Sequence, residues 1–260
     1  MSSEFRNKVR YRALVAYDGT AYVGWQAQPN GPSIQSAIEE ALFLVTGERT
    51  RVMGSGRTDS GVHAVGQVAH FDLVRPIPPS GLTKALNSRL PGDIRILNVR
   101  KTRADFDCRR HAVGKEYRYF IWNAPIMPPH RRLYCAHVPQ PLNVEAMLAA
   151  ARLLVGAHDF SAFTANSGQV IESKVREVSS VKITRRGKEI VIIVQGAGFL
   201  YRMVRSIAGF LIRVGEGSLM PEDTTRILGS RIRTATVPTA PACGLFLWKV
   251  RYASAKVPRR

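Results

Sequence analysis

The sequence predicts an α+β fold built from two related halves, each a split βαβ unit of the ferredoxin-like kind. Three observations carry this. Over the first hundred residues the apolar positions switch between period two and helical spacing, in the order strand, helix, strand, strand, helix, strand. Similar elements return in similar order in the second half, although no strict repeat of residues is visible. The chain has 260 residues, 45% of them hydrophobic, enough for one large core or two small ones.

The elements follow in order. Val9, Tyr11, Ala13, Val15 and Tyr17 alternate with polar or basic residues, which marks a strand with one buried face. Asp18-Gly19 ends it in a turn. Pro32-Ser33 opens a helix with Ile34, Ala37, Ile38, Ala41, Leu42 and Val45 on one side, and Gly47 closes it. A short strand near Arg51–Met53 leads into the glycine-rich loop Gly54–Gly61, and a strand runs from Val65 to Phe71. A helix over Leu82–Ser88 and a strand over Ile94–Val99 complete the first half. In the second half, Tyr117, Tyr119 and Ile121 alternate in a strand, and Val144–Val155 has helical spacing. Val175–Arg186 and Glu189–Gln195 read as a hairpin turned at Gly187. A long helix is expected over Phe199–Val214 and a last strand over Leu245–Val250. The boundary is expected near Thr102–Phe106, giving domains 1–104 and 105–260.

Charge is the strongest compositional signal. Lys and Arg number 38 against 19 acidic residues, a net +19. A folded, fairly apolar chain with that imbalance attracts a polyanion. The cations are spread: Arg109, Arg110, Lys115 and Arg118; Arg131 and Arg132; Arg185, Arg186 and Lys188; Arg202 and Arg205; with a short basic tail at Lys256–Arg260. That pattern points to a folded basic surface rather than one disordered arm. Cys108, Cys135 and Cys243 are far apart and in no CxxC pair, so isolated reduced thiols are expected, not a disulfide framework or zinc site. No run of about 18 uncharged apolar residues is present, which excludes a spanning helix. The opening MSSEFRNKVRYR lacks the apolar stretch of a secretory signal, so a cytoplasmic location is expected.

The stretch that can carry chemistry is Gly54-Ser-Gly-Arg-Thr-Asp-Ser-Gly-Val-His63. Its glycines let the backbone approach a ligand, and they bracket a long cation, Arg57, and a short carboxylate, Asp59. A β-turn whose Asp makes a local hydrogen bond fits the same composition. The wider motif GRTDSGVHAVGQVAHF resembles the catalytic motif of the TruA family of tRNA pseudouridine synthases. Five further blocks resemble that family in order: Tyr17–Gln26; Ala85-Leu-Asn87 with Leu90–Ile94; Lys115–Tyr119; Gly198–Arg205; and Gly244–Leu247. The likeness spans nearly the whole chain. Phe106-Asp-Cys-Arg109 departs from it, with Cys108 where the family usually has Ala; Cys is a small, near-apolar substitute.

The resemblance implies a pseudouridine synthase fold with a central basic cleft. The first half would carry the catalytic loop and the second would complete the site. It implies an isomerase that converts uridine to pseudouridine in the anticodon arm of tRNA, at positions 38, 39 and 40. A homodimer is implied, with no metal and no small-molecule cofactor. Asp59 is the implied catalytic carboxylate, acting as nucleophile on the sugar or as base for a sugar proton. An ionised Asp in a dry cleft needs a cation beside it, and Arg205 matches the family position that pairs with it. Tyr117 matches the active-site tyrosine that would stack on a flipped uracil; Tyr119, on the same strand face, suits a core aromatic. Arg57 would enter the RNA and help hold the extruded base. Arg202, three residues before Arg205 on the expected helix, could reach the same side, or lie on a solvated face.

Other candidates read as structural. His63 and His70 have no third ligand spaced near them for a metal, and His63 is expected to order the catalytic loop. Gly196-x-Gly198 is a turn before a helix, without the rest of a dinucleotide fingerprint. His158-Asp159 lacks the serine elbow of a triad. Two other functions fit parts of the sequence. A catalytically silent tRNA-binding module explains the charge but not the joint occurrence of Asp59 and Arg205. A metal-dependent nuclease needs clustered carboxylates, and only Asp59 and Asp72 lie near the loop.

Overall fold

The computed structural model describes residues 8–166, 168 and 171–253. The expected basic tail, Lys256–Arg260, lies outside the described residues. Ten strands and five α-helices are present among them, an α+β fold. The chain divides into two compact units, Met1–Val113 with Leu247–Arg260, and Gly114–Phe246. The division thus falls later than the expected boundary at residue 104, and most of the last strand belongs to the first unit rather than the second. Sequence order could not reveal this, because that strand's neighbour is set by sheet pairing.

In the first unit the order of elements is β1 (Val9–Tyr17), α1 (Ile34–Thr46), β2 (Met53–Gly54), β3 (His63–Leu73), α2 (Pro79–Asn87) and β4 (Ile94–Lys101). This is the expected split βαβ order. β1 lies between β4 and β3, antiparallel to both, and β2 pairs with β3. The strand β10 (Leu245–Tyr252) also borders β3. β1 buries Tyr11, Ala13, Val15 and Tyr17, the predicted face. α1 begins where Ser33 and Ser36 form a reciprocal capping box, and it buries Ile34, Ile38, Ala41 and Leu42. α2 starts earlier than expected, with Pro79 in its first turn, where a missing amide hydrogen is harmless. Its last residue, Asn87, bonds both backbone groups of Ile96 in β4 (2.8 and 2.9 Å).

In the second unit β5 (Ala112–Asn123) crosses from the first, followed by β6 (Ala136–Val138), α3 (Val144–Leu153), β7 (Gly156–Asp159), β8 (Val175–Arg186), β9 (Glu189–Gly196), α4 (Met203–Gly215) and α5 (Asp223–Ser230). The sheet runs β5-β9-β8-β7, and β6 lies parallel to β5. The hairpin β8–β9 turns at Gly187 as expected, its arms in register from Arg186↔Glu189 to Ser180↔Gln195. One face buries Tyr119, Ile121, Ile190, Ile192 and Val194.

Three expectations change. α4 begins at Met203, not Phe199, because Arg202 is left-handed (φ 57°, ψ 8°) and breaks the helix that the apolar spacing suggests. α3 stops at Leu153, and β7 starts at Gly156. β6, β7 and α5 went unpredicted; the two strands are too short for a period to register, and in α5 only the adjacent Ile227 and Leu228 are large and apolar.

Candidate active site

The catalytic-motif loop follows β2 and precedes β3. Its placement is enforced by backbone contacts. Trp25 N donates to Thr58 O (3.1 Å), Gly61 N to Tyr22 O (3.3 Å), and Val62 N to Asp59 O (3.1 Å). Gly24 forms an isolated antiparallel bridge with Asp59. Gly24 has φ +117°, and a Cβ built there would lie 2.5 Å from Thr58 O. Only glycine lets the two segments meet this closely.

Below the loop lies a buried polar layer. The hydroxyls of Tyr17 and Thr58 are 2.8 Å apart. Ser55 Oγ donates to Gln67 Oε1 (2.7 Å), and Gln67 Nε2 donates to Gly56 O (2.8 Å). Ser55 and Gln67 are fully buried. Burial pushes the Tyr17 phenol pKa well up, so its hydroxyl stays protonated. The layer is therefore uncharged. It fixes the backbone on either side of Arg57, and the structure leaves Asp59 half-buried and Arg57 exposed. His63, almost fully buried, receives the Gly19 amide on Nδ1 (3.1 Å), with Asp18 Oδ1 also at 3.1 Å. It ties the turn after β1 to the end of the loop, the ordering role expected of it. His70 Nδ1 accepts from Cys108 N (3.2 Å).

The other candidates lie in the second unit. Tyr117, 8% exposed, meets Phe199 edge-on at 5.3 Å between ring centroids. Tyr119 is fully buried, and its hydroxyl donates to Pro241 O (2.9 Å), a core role as expected. Arg205 is half-buried in the first turn of α4; its Nε donates to Ala240 O (2.8 Å). Arg202 is exposed, its guanidinium 4.9 Å from the Tyr201 ring centre. Because Arg202 precedes the helix in a left-handed conformation, the spacing of three no longer places it on Arg205's face; the structure does not bring these two arginines together as helical neighbours. Asp59 and Arg57 thus share one loop, while in the second unit Tyr117 stands on β5 and Arg202 and Arg205 stand at the start of α4.

Sequence reasoning missed Gln67, Thr58 and Arg233 as parts of the scaffold. Gln67 left a faint signal, a polar residue inside the apolar β3. Arg233 left none.

Among the described residues, no group of three His, Cys, Asp or Glu side chains is placed to hold a metal ion. Among the described residues Cys108, Cys135 and Cys243 form no disulfide. No helix among the described residues is long and apolar enough to cross a membrane.

The model of the tRNA pseudouridine synthase family matches residues 13–109 and 150–253. The chain belongs to that family. Curated relatives agree over nearly full length. It is 45% identical over 242 residues to tRNA pseudouridine synthase A of Syntrophotalea carbinolica, covering 93% of this chain and 96% of that protein. It is 45% identical over 243 residues to the protein of that name from Brevibacillus brevis (94% and 99% covered). The Myxococcus xanthus protein of that name is 44% identical over 244 residues (94% and 92% covered). Arg57 and Asp59 fall in the family's first matched stretch, and Arg202 and Arg205 in its second; Tyr117 lies in the interval between them.

Proposed function

We propose that this protein converts uridine to pseudouridine in the anticodon arm of tRNA, at positions 38, 39 and 40, as a cytoplasmic homodimer needing neither metal nor organic cofactor. The observation that carries this reading is the backbone-fixed loop holding Asp59 and Arg57 in a chain that matches its relatives almost end to end.

The reaction is a balanced isomerisation. The N1–C1′ bond of uridine breaks, the base turns, and a C5–C1′ bond forms. C5 loses a proton to water and N1 gains one, so no redox partner is required. Asp59 acts at the sugar, as nucleophile on C1′ or as base for a C2′ proton. Its side chain is short, so the loop's fixed backbone sets its position. Arg205, in the first turn of α4, is the cation that the family resemblance assigns to the active site. Arg57, exposed beside Asp59, enters the RNA and holds the base out of the stack. Tyr117 borders the base; at 8% exposure little of its ring is open. Arg202 contacts the RNA backbone. Exposed Arg109, Arg110, Arg132, Arg185, Arg186 and Lys188 add sequence-independent attraction for phosphates, which suits one site serving neighbouring uridines.

The test is tritium release from tRNA labelled at uridine C5 by purified protein, run in parallel with chelator and with magnesium. Release shows the isomerase. Binding of tRNA without release points to a silent RNA-binding protein, and cleavage that needs magnesium points to a nuclease.

A further inference from the structure

We propose that Arg233 is a positioning residue that sets the direction of the Arg205 side chain. This rests on the reading of Arg205 as an active-site cation. Arg205 is gripped by one residue at both ends: its Nε donates to Ala240 O (2.8 Å), and Ala240 N donates to Arg205 O (3.1 Å). Ala240 lies in the segment 231–241, which has no regular structure. The carbonyl that aims Arg205 therefore depends on whatever fixes this segment.

Two features fix it. The first is steric: a Cβ on Gly209 would lie 2.2 Å from Pro238 O, so the segment's backbone rests directly on α4. The second is Arg233. Its Nη1 donates to Ser206 Oγ (2.8 Å) and its Nη2 to Thr239 Oγ1 (2.7 Å). Ser206 follows Arg205, and Thr239 precedes Ala240. The guanidinium thus fastens the neighbour of the aimed residue to the neighbour of the aiming carbonyl. A planar fork with two donors in fixed directions spans two hydroxyls as lysine's single ammonium does not.

The arrangement is unfavourable for a mere fastener. Burial and the charge of Arg202 both push the Arg233 pKa down, and the partners named are neutral hydroxyls. A half-buried cation held against a neighbouring cation is a demanding way to close a loop. It becomes intelligible where two donors of fixed geometry are needed one residue away from a functional arginine.

The test uses the full chain, with kcat and KM for tRNA from tritium release and a melting curve for each variant. Arg233→Lys is expected to lower kcat roughly ten- to a hundred-fold while KM stays unchanged, the size seen when groups orienting a functional side chain are removed. Repeated in an Arg205→Lys background, the same change should add little, because both act through one guanidinium. Thr239→Val, nearly isosteric, should give a smaller kcat loss with the same non-additivity, and it keeps the test open if Arg233→Lys folds poorly. A raised KM with intact kcat would make Arg233 an RNA contact and overturn the proposal. So would a loss that adds fully to that of Arg205→Lys. If Arg205→Lys alone turns over at the wild-type rate, the reading of Arg205 fails, a result distinct from either.

Discussion

The catalytic-motif loop and the start of α4 hold their proposed site residues by opposite means. Asp59 is short, and the loop fixes its backbone: the Gly24 bridge, the Trp25–Thr58 bond and the Ser55–Gln67–Gly56 relay all act on main chain or on small buried groups. Arg205 is long, and its side chain is held at Nε by a carbonyl on a distant irregular segment. A short carboxylate gains accuracy from rigid backbone because few torsions separate it from the main chain. A guanidinium has several, so it must be tethered. The first solution tolerates no change in backbone space; the second tolerates little change in hydrogen-bond geometry.

The largest expected effect breaks the chemistry and leaves the scaffold alone. Asp59→Asn should abolish measurable tritium release while melting temperature and tRNA affinity hold, since removing one carboxylate adds no repulsion toward RNA. Substantial remaining turnover would remove Asp59 from its proposed role. The next breaks the scaffold and leaves the chemistry in place. Gly24→Ala puts a methyl 2.5 Å from Thr58 O at a φ of +117°. It should destabilise the fold by about 1–3 kcal/mol and lower kcat as the loop shifts. A variant with wild-type melting temperature and turnover would show that the Gly24 approach does not set the loop.

The two regions were unequally legible in the sequence. Val9–Tyr17 and Ile34–Thr46 announced themselves by period, and the β8–β9 hairpin by its glycine. Asp59 was visible through family resemblance, since Asp and Gly by themselves fit any turn. The buried relay beneath it was not, because Gln67 stands out only as a polar residue in an apolar strand and its partner Ser55 is 12 residues away. At α4, Leu200, Met203, Val204 and Ile207 keep helical spacing, and all are buried, yet the helix starts only at Met203. Apolar spacing reports which residues face the core, and a buried turn satisfies it as well as a helix does. The left-handed Arg202 is invisible to that reading, since the conformation favours Gly or Asn.

That left-handed residue gives the smallest effect and the finest test of the comparison. If the α4 start is held by side-chain tethers, its backbone can carry strain that the loop's backbone could not. Arg202→Ala keeps the strain and removes the guanidinium; Arg202→Gly removes both. Glycine should be the more stable of the two by about 1 kcal/mol, the usual penalty for a Cβ in this conformation less glycine's extra chain entropy. Both should bind tRNA equally, more weakly than wild type, and with a salt slope shallower by about one if the guanidinium meets a phosphate. Melting curves and a salt titration separate these contributions. Equal stability of the two variants would mean that the residue leaves the left-handed region without difficulty. The α4 start would then be fixed by contacts such as those of Arg233 and Ala240, with no help from the conformation of Arg202.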